Sequence, residues 1–95
     1  MDEKQRQDYQ NNPEFTTMYS FYDTKASSYG TPFFCHSDLF AGRHYKMVSE
    51  QEGLIKSFKK DFEVHRLGYF NIKNATFVED LEVIIEGKNQ KQETK

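Results

Sequence analysis

Phe15-Thr16-Thr17-Met18-Tyr19-Ser20-Phe21-Tyr22 is the stretch whose reading decides the fold class. Aromatic and β-branched side chains fill it, which predicts a strand. Met18, Tyr19, Phe21 and Tyr22 place apolar bulk on both faces, so the strand is expected to bury one face and show tyrosines on the other. Downstream, Ser28-Tyr29-Gly30-Thr31-Pro32 has the punctuation of a loop, and Phe33-Phe34-Cys35-His36 reads as a second short strand with Pro32 at its edge. Ser37 or Asp38 can cap a helix from Leu39 to about Gln51, with Phe40, His44, Met47 and Val48 on one face beside Ala41 and Tyr45. Gly53 ends or breaks that helix, and Leu54 to Phe58 can add a turn. Phe62 to Phe70 alternates as a strand, Asn71 to Asn74 is turn-like, and Ala75 to Val78 is expected to return as a hairpin partner. Leu81, Val83, Ile84 and Ile85 form a last apolar run, leaving residues 75–86 open to one strand, two strands, or a strand and a helical turn. The expected fold is α+β: a small antiparallel sheet of about four strands in ββαββ order, with one main helix packed across it.

The chain around this frame has 95 residues, 29% of them charged, with a net charge of −2. That is room for one modest core, and nine Phe and six Tyr can build it from few large side chains. Residues 1–14 and 87–95 hold almost no apolar side chain and are expected as flexible polar tails flanking a single domain at 15–86. Charge divides with them. Residues 15–78 carry eight basic and six acidic groups, so an acidic whole surrounds a slightly basic body. No apolar run approaches the ~20 residues that a spanning helix needs. The polar start lacks the hydrophobic stretch of a secretory signal, and the single cysteine, Cys35, leaves no internal disulfide and fits a reducing compartment.

Several motifs resemble a known family. Tyr19-Ser20-Phe21-Tyr22-Asp23-Thr24-Lys25-Ala26 is similar to the Tyr-Ser-x-Tyr-Asp-x-Lys-Ala opening of the small nonstructural protein of gokushoviruses, the single-stranded DNA phages of the Microviridae. Tyr29-Gly30-Thr31-Pro32-Phe33 resembles its Tyr-Gly-x-Pro-Phe, and Ala41-Gly42-Arg43 its Ala-x-Arg. Asp61-Phe62-Glu63-Val64 and Leu67-Gly68-Tyr69-Phe70-Asn71 resemble its Asp-Phe-x-Leu and Ile-Gly-x-Phe-Asp. The likeness covers about residues 18–72. The polar extension before it, and the lack of Pro before Asp61-Phe62, depart from the pattern. The resemblance implies a role in viral DNA replication, described as DNA binding or support of single-strand synthesis, in the host bacterial cytoplasm.

A single-stranded DNA binder needs aromatic faces for bases and cations for phosphates. The candidates are Tyr19, Tyr22, Tyr29 and Tyr69, with Lys25, Arg43, Lys46 and Arg66. Each tyrosine has an alternative role as a half-buried core residue with its hydroxyl in water. Lys56, Lys59 and Lys60 cluster around Phe58, either to hold a phosphate backbone or as a solvated helix end. Cys35, His36, His44 and His65 lack metal-ligand spacing, and no nucleophile–base or paired-carboxylate motif stands out, so neither cofactor, metal nor enzymatic activity is expected. The rival partner class is a protein: a second copy forming a homodimer, or a viral or host replication protein met by an uncovered sheet face or edge.

Overall fold

A computed structural model describes residues 1–87. In chain order the described elements are α1 (Glu3–Asn11), β1 (Phe15–Asp23), β2 (Ser28–Tyr29), β3 (Phe33–Cys35), α2 (Asp38–Glu50), α3 (Leu54–Ser57), a 3-10 turn (Lys59–Asp61), β4 (Phe62–Asn71) and β5 (Phe77–Ile85). The class is α+β, with five antiparallel strands and three α-helices among the described residues rather than four strands and one main helix.

β1 and β4 form the centre of the sheet, β5 lies outside β4, and β2 and β3 share the far edge of β1. The extra strand has a simple origin. Ser28 and Tyr29, expected in a loop, pair with Asp23 and Tyr22, while Phe33, Phe34 and Cys35 pair further down with Tyr19, Met18 and Thr17. Gly30 still donates to the Phe21 carbonyl at 2.9 Å. Pro32 has no N–H to continue the ladder, so one edge strand becomes two. At the other end, residues 77–85 form one strand. Asn71 closes the loop before it, its side-chain oxygen accepting from the N–H groups of Lys73 and Asn74.

Helices cover one face of the sheet. The core contains Tyr19, Ala41, Tyr45 and Val64, with Phe21, Phe33, Ile55, Ile84 and Ile85 packed against it. α2 turns Ala41, Tyr45 and Ser49 inward, whereas Phe40 and Met47, expected on the packed face, are exposed. The apolar stripe read from Phe40, His44, Met47 and Val48 is therefore rotated toward the Ala41–Tyr45–Ser49 line. The small Ala41 is what allows close approach to the sheet.

Residues 1–14, expected to be a flexible extension, carry α1 instead. Asp2 and Gln5 form a reciprocal capping box, with each side chain accepting from the other's backbone N–H. α1 buries no residue completely; its hold on the domain is specific rather than extensive. Tyr9 lies parallel on Tyr69 with ring centroids 4.7 Å apart and meets Phe15 edge-on. The Gln10 side chain accepts from the Asp38 N–H at 3.0 Å, supplying the cap that Ser37 does not give α2. Gly87 is packed against the Lys60 and Phe62 carbonyls, where a Cβ would collide. The rest of the polar tail expected at 87–95 lies outside the described residues. None of the described helices is long and apolar enough to cross a membrane.

Candidate nucleic-acid interface

β1 alternates as its sequence requires. Tyr19 and Phe21 point toward the helices, where Phe21 meets the Tyr45 ring, and Met18, Ser20 and Tyr22 point to the opposite face. No described helix covers that second face. Cross-strand pairing assembles it from rungs: Met18 stands between Phe34 and Gly68, Phe70 opposite Phe77, and Tyr22 opposite Tyr29. The Phe34 and Phe70 rings are 6.2 Å apart, and Phe77 lies over Gly68. Phe34 is 50% exposed, and Phe77 and Tyr29 are each 45% exposed, a large aromatic area to leave in water.

The other end of this face is a small polar and aromatic cluster. Tyr22 stacks on His65 at 4.9 Å, and Tyr29 packs 4.7 Å from Tyr22. The Tyr29 hydroxyl is 2.8 Å from His65 Nδ1, and His65 Nε2 is 2.9 Å from Glu63 Oε1. Donation from Tyr29 to Nδ1, and from Nε2–H to Glu63, satisfies all three groups. Burial, then Tyr22 and Glu63, raise the Tyr29 hydroxyl above its ordinary range, so it stays a neutral donor. These contacts set the ring planes that face solvent.

The structure disperses the eight candidate residues. Tyr22 and Tyr29 come together on the open face, with Lys25 in the turn just beyond them. Tyr19, Arg66 and Tyr69 do not belong to any surface: all three are fully buried on the helix side. Arg66 Nη1 holds Asp38 at 2.7 Å, Nη2 holds Glu82, and Nε reaches Asp80 at 3.2 Å. The Tyr19 hydroxyl donates to Asp38 at 2.6 Å, the Tyr69 hydroxyl donates to Asp80 at 2.7 Å, and Arg6 of α1 also holds Asp80. Three carboxylates thus enclose two arginines, which leaves no attraction for a phosphate. Burial pulls the Arg66 guanidinium down, but the Glu82 hydrogen bond and the Asp38 field more than offset it and keep it charged. Arg43 and Lys46 project from the exposed side of α2, away from the open face, with Arg43 5.5 Å from the Phe40 ring centre.

Burial and the carboxylate hydrogen bonds raise the Tyr19 and Tyr69 hydroxyls well above their ordinary value of 10. A folded-state value above the unfolded one stabilises fully below the unfolded value, and that contribution is lost as pH rises through the folded value. Urea midpoints are therefore expected to hold steady to about pH 10 and then to fall. Each tyrosine that only the unfolded chain ionises removes about 1.4 kcal/mol per pH unit. A flat alkaline profile to pH 11 would contradict the buried placement of these hydroxyls.

Phe34, Phe70, Phe77 and His65 are the residues of this open face that sequence reasoning missed. The available signal was the Phe33-Phe34 pair: adjacent strand residues point to opposite faces, so one ring had to look away from the core. A family model described as Phage ORF5 protein matches residues 16–90, from the second residue of β1 onward. No curated protein and no solved structure matches the chain.

Proposed function

We propose, from the premise that this chain belongs to the phage ORF5 protein family, that it is a nonstructural protein of gokushovirus-type phages that binds single-stranded DNA on the open face of its sheet. It would act without enzymatic chemistry in the host bacterial cytoplasm, in support of genome replication or single-strand synthesis. One observation carries the reading: three rings at Tyr29, Phe34 and Phe77 are half exposed on a sheet face that no described helix covers. Such rings stack unpaired bases at about 1–3 kcal/mol each and tolerate any sequence. A duplex hides its base faces, so the single strand is the preferred form.

Fluorescence anisotropy with labelled oligonucleotides of about 30 nucleotides tests it. Binding is expected for the single strand and to be much weaker for the duplex. Phe34→Ala and Tyr29→Ala are each expected to reduce affinity roughly 5- to 150-fold. Tyr19→Ala and Tyr69→Ala act on folding instead, since neither ring reaches solvent. No binding to the single strand at low salt would sink the proposal.

A second reading rests on β5, whose outer edge pairs with no other strand among the described residues and whose Leu81 and Val83 are 56% and 39% exposed. A second copy, or a viral or host replication protein, would cover this edge and the adjoining rings. Light scattering separates the two readings. A dimer that loses oligonucleotide binding as it forms favours the protein partner.

A further inference from the structure

The open face has an electrostatic gap. Its five strands contain one Lys or Arg, Arg66, which is buried and neutralised on the opposite side. Phosphates of a strand lying on the rings must find their cations elsewhere, and Arg43 and Lys46 are on the outer side of α2. Building on the single-stranded DNA reading, we infer that the backbone is gripped at the corner formed by Lys25, Lys59 and Lys60, with a base stacked on Phe58.

Three observations carry this. First, the β1–β2 turn is tied to the 3-10 turn: both the Thr24 N–H and its hydroxyl donate to the Asp61 carbonyl, at 2.8 and 3.0 Å. That brings Lys25 beside the segment bearing Lys59 and Lys60, across a cleft of about 160 Å³ lined by Lys25, Phe58 and Phe62. Second, the groups there are available. Lys25, Lys59 and Lys60 make no ion pair among the described residues, whereas neighbouring Lys56 is held by Glu52 at 3.0 Å. Phe58 is 50% exposed, an aromatic face set among lysines. Asp23 and Asp61 share the cleft, but Asp23 is occupied by the backbone N–H groups of Lys25 and Ala26. Third, the corner adjoins the rings. Asp23 pairs with Ser28 on the rung next to Tyr22 and Tyr29, so the turn begins within about 10 Å of them. The cleft itself is lined by Asp23 and Phe62 from the helix-facing side, so a strand would leave the rings at Tyr22 and Tyr29 and round this end of the sheet to bring its phosphates to the corner.

The test compares salt titrations of wild type with two variants and a control. Lys25→Ala/Lys59→Ala/Lys60→Ala removes three contacts and is expected to flatten the slope of log affinity against log salt by about 2, with a loss on the order of 100-fold at 0.1 M. Phe58→Ala is expected to lower affinity about 5-fold or more with an unchanged slope. Arg43→Ala/Lys46→Ala is expected to bind within about twofold of wild type, since neither residue lies on the path. Lysine acetylation of the wild-type complex needs no variant: bound oligonucleotide should protect Lys25, Lys59 and Lys60 and leave Lys46 reactive. If wild type binds but the triple variant keeps its slope, or the three lysines stay reactive, the corner assignment is overturned while the sheet-face reading stands. If wild type does not bind at all, both fail together.

Discussion

Gly68→Ala is expected to destabilise the fold by about 3–5 kcal/mol, lowering the melting temperature by roughly 15–30 °C. Gly68 sits where β4 slips register against both neighbours, with φ at +157°, a conformation side chains avoid. A Cβ there would collide with the Val78 carbonyl oxygen and come 2.5 Å from the Phe77 ring. The Val78 carbonyl is held in the β5 ladder and cannot retreat, while the half-exposed Phe77 ring would have to swing aside. Gly42 supplies the control. It is helical with nothing within 4 Å of an added Cβ, so Gly42→Ala is expected to gain about 0.5–1 kcal/mol. Urea denaturation of the two variants checks the account; equal midpoints would refute it.

Arg66→Ala is expected to cost about 3–5 kcal/mol, because it leaves Asp38, Asp80 and Glu82 around an emptied site with Arg6 as their remaining cation. The loss comes from uncompensated carboxylates, so Arg66→Lys should recover only part of it. An ammonium keeps the charge but cannot reach three partners with the geometry of a planar guanidinium. Chemical denaturation resolves the series, with the order wild type, Lys, Ala. If alanine is tolerated, water at the partly exposed Asp38 and Glu82 replaces the guanidinium and the cluster is not held by Arg66.

β1, β3, β4 and the main helix were legible because their signals are local, whereas β2 was expected as loop and β5 was left open. Phe15 to Tyr22 and Phe62 to Phe70 are dense in β-formers, and Leu39 to Gln51 has helical periodicity. α1 was missed because the contacts that hold it to the domain are tertiary: Tyr9 packs on Tyr69 and Phe15, and Arg6, besides its local partners Glu3 and Met1, reaches distant Asp80 and Glu82. The local hints were the Asp2–Gln5 spacing of a capping box and the charge pairs Glu3–Arg6 and Lys4–Asp8 at helical spacing. The candidate site failed for a related reason. Composition selects tyrosine and arginine but not the face they occupy, and a register slip beside Leu67 separates Arg66 from any simple alternation. Arg66 reads as a surface cation until the three carboxylates, from α2 and β5, are seen around it.

The order in which the sheet is joined has a consequence for synthesis. β1 meets its main partner only when β4 has been made, and roughly forty residues separate them, so the centre of the sheet must wait for a long loop to close. Until then the ribosome holds out a nascent segment, Met18 to Tyr22, that is apolar on both sides and has only the short β2 and β3 pairings to shield it. Such a segment is prone to pair with its copies on neighbouring ribosomes. Rapid expression from a strong promoter should therefore send more of the product to inclusion bodies than slow expression does, even though the finished fold conceals most of that strand.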